Sequence, residues 1–173
     1  MKIRLLAAIV LVQLPALAAD PKPAPCSSEQ HRQFDFWAGA WDVTLQGKPA
    51  GHNVIQKILG GCALLENWTG AQGGTGKSVN FYDAVDGLWH QTWIDGSGGA
   101  LFLAGKFENG AMRLEGLRPA TAKQPAMRHR ITWTPLPGGG LRQLWESAPP
   151  GKKEWTVQFD GVYARAAAAA KAE

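Results

Sequence analysis

Among the acidic and basic side chains of this sequence, Glu66 and His129 stand out for their apolar strand neighbours. Glu66 shares a strand face with Leu64 and Trp68, so if that face turns inward the carboxyl is buried among apolar groups. A buried carboxyl either pairs with a basic group or has a raised pKa, the usual mark of a functional acid. With the strand reversed, Asn67 points in and Glu66 meets water; alternation leaves both orientations open. His129 shares a face with Met127, Ile131 and Trp133, while Arg128, Arg130, Thr132 and Thr134 take the other. The charged face belongs outside, which predicts that His129 points inward. There it is either a core histidine satisfied by a hydrogen bond or a ligand contact, haem ligation included.

Other spacings exclude chemistries. Ala71 to Ser78 (AQGGTGKS) fits a relaxed phosphate-loop pattern. That loop works only between a strand and a helix whose N-terminus meets the phosphates. Val79-Asn80-Phe81-Tyr82-Asp83 follows and alternates like a strand, so the segment reads as a glycine-rich hairpin. The four histidines, His31, His52, His90 and His129, form no H-x-H or H-x-x-x-H pair that would signal a local metal site. The serines lie in no convincing nucleophile-elbow context.

Eight tryptophans are many for 173 residues. Trp89 and Trp93 share a strand face with Gln91 between them, Trp145 shares one with Gln143, and Trp155 one with Val157 and Phe159. Large rings with a few amides between them suit a mostly apolar pocket with orienting polar groups. The alternative is that the rings simply fill the interior, since a small barrel can be solid. Asn80 and Tyr82 compete with Val79 and Phe81 for the inner face, and the pattern does not choose between them.

The elements that must position these residues are strands. From Trp41 onward the hydrophobic period is two. Alternating or apolar segments occupy about 41–46, 52–59, 62–69, 77–83, 87–95, 100–107, 111–117, 127–134, 141–147 and 153–164. Breaks such as Asp86-Gly87 and Asn109-Gly110 carry tight-hairpin chemistry, and a turn is expected at Gly47-Lys48-Pro49. Short strands at this spacing, with no long helix between them, pair antiparallel, and closing the sheet removes its edges. The expectation is an all-β fold, a closed antiparallel barrel of about ten strands over residues 28–165. A short helix precedes it, capped by Ser27 or Ser28 and running to about Trp37, with Gly39 ending it.

Residues 1–18 read as a signal peptide: a basic start at Lys2 and Arg4, an apolar run from Leu5 to Leu14, and the small pair Ala16 and Ala18. The run of about ten residues is shorter than the roughly 20 needed to span a bilayer. No later segment is long and apolar enough to span one. A linker occupies 19–27, and an alanine-rich tail with no amphipathic face occupies 166–173. The formal charge of +4 is inflated by the leader, and the remaining basic residues are scattered, which argues against a nucleic-acid partner. Cys26 and Cys62 can form a disulfide in an oxidising export compartment. The alternative is two separate thiols, one of them buried.

The stretch from Gln33 to Val43, with Phe34-Asp35-Phe36-Trp37 and Trp41-Asp42-Val43 around Gly39, resembles the FDFWxGxWDV opening of a family of uncharacterised secreted bacterial proteins. Gly60-Gly61-Cys62 with Glu66 and Trp68, Asn80 to Asp83, Trp89 to Trp93, Thr132 to Leu136 and Phe159 to Tyr163 extend the resemblance over nearly all of the chain after the leader. It implies a calycin-like barrel, related in shape to lipocalins, fatty-acid-binding proteins and nitrobindin.

The resulting expectation is a periplasmic or secreted barrel that binds a small, mainly apolar molecule. The site residues expected are Glu66, Trp68, Asn80, Trp89, Gln91, Trp93, His129, Trp133, Gln143 and Trp145. Rival expectations are an isomerase- or cyclase-like enzyme using Glu66 and His129 as acid and base, and haem binding through His129.

Overall fold

Ten strands alternate their side chains between a lumen and solvent, and each pairs antiparallel with its neighbours until the last meets the first. In this computed structural model, which describes residues 24–167, they are β1 (Gly39–Leu45), β2 (Lys48–Ile58), β3 (Ala63–Gly70), β4 (Thr75–Asp83), β5 (Leu88–Asp95), β6 (Ala100–Glu108), β7 (Ala111–Arg118), β8 (Met127–Pro135), β9 (Leu141–Ala148) and β10 (Thr156–Arg165). The ring closes where β1 pairs with β10, Trp41 opposite Arg165 and Val43 opposite Tyr163. The leader, most of the linker and most of the alanine-rich tail lie outside the described residues. Among the described residues no helix is long and apolar enough to cross a membrane.

The hairpins follow their turn chemistry. Asn109 and Gly110 between β6 and β7 both have positive φ, 51° and 78°, as a two-residue type I′ turn requires. The first turn falls at Gln46-Gly47 rather than Gly47-Lys48-Pro49, and Lys48 and Pro49 already belong to β2. A register shift between Val43 and Thr44 accommodates this start.

One end of the barrel is plugged by the segment before β1. The expected helix is broken in two: α1 (Glu29–Arg32) and a 3₁₀ turn (Asp35–Trp37). Ser28 occupies the cap position, but its hydroxyl bonds to His31 Nδ1 at 2.7 Å instead of a backbone N–H. After the break Phe34 and Trp37 stack at 4.9 Å and are fully buried. Phe34 meets Trp89 at 5.5 Å and Trp133 at 5.1 Å. Trp41 Nε1 donates to Trp37 O at 2.8 Å. Gly39 has a φ of 128°, and a Cβ there would lie 2.2 Å from the Arg165 guanidinium, which donates to Ala38 O. The aromatic and glycine positions of the opening motif are thus the positions that close the barrel. The Cys26–Cys62 disulfide ties the lead-in to the β2–β3 connection at this same end, with Cα atoms 5.0 Å apart.

The start of β10 departs from simple alternation. A bulge between Val157 and Phe159 turns Val157 outward and Phe159 inward. Trp155 precedes the strand and lies outside, with the guanidinium of Arg130 4.1 Å and that of Arg128 4.6 Å from its ring centroid. Phe159 therefore leaves the face expected for it with Trp155 and Val157, because the extra residue of a bulge shifts the period.

Candidate functional site

The unplugged half of the barrel holds the site. A cavity of about 180 Å³ opens there, walled by the rings of Trp68, Trp93, Trp145, Phe159 and Tyr163 and by Leu101 and Ile131. Its polar side chains are Glu66, Gln91 and Gln143, with the hydroxyl of Tyr163. Each wall residue projects inward because it occupies an inner position of its strand: Glu66 and Trp68 on β3, Gln91 and Trp93 on β5, Gln143 and Trp145 on β9.

Between cavity and plug runs a buried chain of hydrogen bonds. Tyr163 Oη donates to Gln143 Oε1 at 2.5 Å. Asn53 Nδ2 donates to Glu66 Oε1 at 2.7 Å and approaches Tyr163 Oη at 3.5 Å. Ser78 Oγ donates to Glu66 Oε2 at 2.5 Å. Asn80 Nδ2 and Gln91 Nε2 donate in turn to Ser78 Oγ, at 2.8 and 3.4 Å. This polar layer makes β4 an inverted strand, with Ser78 and Asn80 buried and Val79 and Phe81 39% and 37% exposed. Glu66, only 3% exposed, faces inward, which resolves the orientation that alternation left open.

Burial pushes the pKa of Glu66 up to about 7 against the lowering effect of the bonds from Ser78 and Asn53. Among the described residues no Lys, Arg or His lines this cavity. The Tyr163 hydroxyl is raised well above its ordinary value, first by burial and then by the neighbouring Glu66 charge, so it stays neutral. Among the described residues the layer leaves three buried acceptors without a partner: Asn53 Oδ1, Asn80 Oδ1 and Gln91 Oε1. Of these residues Gln91 alone lines the cavity.

The expected site residues divide into two groups. Glu66, Trp68, Gln91, Trp93, Gln143 and Trp145 come together around the cavity. Asn80 supports its floor from below through Ser78. Trp89 and Trp133 point into the lumen but pack against Phe34 in the plugged half. His129 is inward and 9% exposed, yet it lines a different pocket of about 330 Å³, with Arg118 and Leu103. That pocket lies where β6 and β7 part: their pairing runs from Glu108 opposite Ala111 only to Ala104 opposite Glu115. The His129 pKa is lowered by burial and by the Arg118 charge. Its Nδ1 accepts the Trp145 Nε1–H at 3.1 Å, so the Trp145 indole stands between the two pockets. The fold therefore does not bring Glu66 and His129 to one ligand as an acid–base pair.

Sequence reasoning missed Asn53, Ser78 and Tyr163, which hold the carboxyl and the floor. Asn53 carried a signal, an amide between Gly51 and Ile55 on the inner face of β2. Ala71 to Ser78 forms the β3–β4 turn and the start of β4, with no helix to meet a phosphate. At the plugged end Asp83, Asp86 and His90 cluster within 4.8 Å. Their atoms already serve the turn, Asp83 accepting from Val85 N and Asp86 from Leu88 N, with His90 Nε2 2.9 Å from Asp86 Oδ2. Comparison of the sequence with protein-family models and with curated proteins found no match in either.

Proposed function

We propose that this barrel binds a small, mainly apolar molecule in its open-end cavity and does so in the periplasm or outside the cell. The observation that carries the reading is an apolar space of about 180 Å³ walled by aromatic rings with a buried carboxyl at its floor. A cavity of roughly 150 Å³ lined by apolar groups admits a benzene-sized guest, so one ring or a short branched chain fits. Amides of Gln91 and Gln143 supply the few polar contacts that orient a guest in such a site. The Cys26–Cys62 bridge and the basic, apolar, small-residue order of the first 18 residues support an oxidising, extracytoplasmic location. The resemblance to secreted bacterial calycin-like barrels supports the same reading.

Titration with toluene, followed through the indole N–H signals in a ¹H–¹⁵N spectrum, tests it. The signals of Trp68, Trp93 and Trp145 shift with a saturable profile while those of Trp37 and Trp133 stay fixed. Shifts spread evenly over all indoles, or none up to the solubility of toluene, would overturn the proposal.

A further inference from the structure

The cavity has more acceptors than its own chain satisfies. Each Glu66 oxygen takes one donor, from Asn53 or from Ser78, and a carboxylate oxygen can accept more than one. Gln91, 3% exposed, lines the same space, and its Oε1 has no partner because its amide N–H is turned to Ser78. Among the described residues no cationic side chain lines the cavity to neutralise the carboxylate. Trp68, Trp93, Trp145 and Phe159 line the same cavity, and aromatic rings attract a positive charge at their faces.

We propose that the guest is a small organic amine in its protonated form, donating its N–H groups to Glu66 and Gln91 Oε1 and placing its carbon portion against Trp68, Trp93, Trp145 and Phe159. This deepens the binding function proposed above and rests on it. The same arrangement rejects anions such as fatty-acid carboxylates, since a second negative charge beside Glu66 is repelled in a site of low dielectric. It prefers primary and secondary amines to quaternary ones, which have no N–H to offer the unpartnered amide oxygen.

The charge of the floor gives the binding a pH signature. The groups that face the carboxyl are Asn53 from β2, Ser78 from β4 and Tyr163 from β10, and of these only Tyr163 titrates, far above the neutral range. With Glu66 taking up its proton near pH 7 in the empty site, a cation must displace that proton at lower pH. Its affinity is then about tenfold weaker at pH 6 than at pH 8. A neutral guest that accepts a hydrogen bond from the protonated carboxyl behaves oppositely and tightens as the pH falls.

Calorimetric titration of the full chain with benzylammonium and with benzyl alcohol, at pH 6 and pH 8, tests the proposal. At pH 8 benzylammonium binds at least tenfold more tightly than the alcohol. Glu66→Gln removes that preference, and Gln91→Leu weakens the amine severalfold. The pH profile of the unaltered protein gives the same discrimination should either variant fold poorly. If the alcohol binds and the amine gains nothing, or the amine tightens toward pH 6, the amine proposal is overturned and the binding function stands. If neither compound binds, the binding function itself fails, and this inference with it.

Discussion

Asn53 Nδ2 reaches Glu66 Oε1 across 2.7 Å on a diagonal, since the residue directly opposite Glu66 on β2 is Ile55. Asn53 is itself paired with Trp68, so the diagonal ties the carboxyl to the strand position beside a cavity-wall ring. Ser78 completes the grip from directly across on β4. A nearly buried acid with no cationic side chain beside it among the described residues governs most of what the site can do.

Glu66 makes stability depend on pH in a direction opposite to that of most carboxyls. Its folded pKa of about 7 lies above its ordinary 4.5. Below pH 4.5 both folded and unfolded chains carry the proton, and the native state is at its best with respect to this group. Between 4.5 and 7 the unfolded chain releases the proton while the native state keeps it, so stability falls by roughly 3 kcal/mol as pH rises through that window. Urea titrations from pH 4.5 to 8 should show this loss, and Glu66→Gln should abolish it while being at least as stable as the parent at pH 8.

His129 acts with the opposite sign. Burial and the Arg118 charge lower its pKa, so its contribution is present above the ordinary 6.5 and is lost as pH falls below it. An Nδ1 that accepts the Trp145 N–H must itself be unprotonated. The ¹H NMR midpoint of His129 therefore falls below 6.5, and Trp145→Phe, which deletes the donor, moves it upward. A midpoint at or above 6.5 in the parent contradicts the assignment.

The disulfide closes a loop across a sequence separation of 36. In the chain-entropy model that is worth about 4 kcal/mol. Replacing both cysteines with serine should lower the unfolding free energy by about that amount. Because the bridge sits at the plugged end, the toluene response of Trp68, Trp93 and Trp145 should survive.

The plug and the surface ion pairs differ sharply in worth. Trp37→Ala empties a fully buried site stacked on Phe34 and should cost about 3–5 kcal/mol. Arg142 and Asp160 form a two-pronged pair at 2.6 and 2.8 Å, but both are largely exposed. A double-mutant cycle on that pair should return less than about 1 kcal/mol.

The two-residue rhythm of the sequence located all ten strands to within a few residues, because side chains alternate whichever face is buried. It could not orient β3 and β4. Leu64 and Leu65 are adjacent apolar residues on opposite faces, and the polar floor places Ser78 and Asn80 inside while Val79 and Phe81 face out. Nor does inward pointing say which half of the barrel a residue faces. Trp89 and Trp93 share one face of β5, yet Trp89 meets the plug and Trp93 the cavity, a division set by how far Phe34 and Trp37 reach into the lumen. The bulge in β10 was invisible because nothing in Val157-Gln158-Phe159 marks an extra residue.

The site is built on one carboxyl buried beneath an aromatic cavity. A ¹³C NMR titration of the side-chain carboxyls, assigned by loss of one signal in Glu66→Gln, measures it directly. The predicted midpoint for Glu66 is near 7, moving down when benzylammonium is added. A midpoint at its ordinary 4.5, unchanged by the amine, would contradict both the buried floor and the site built upon it.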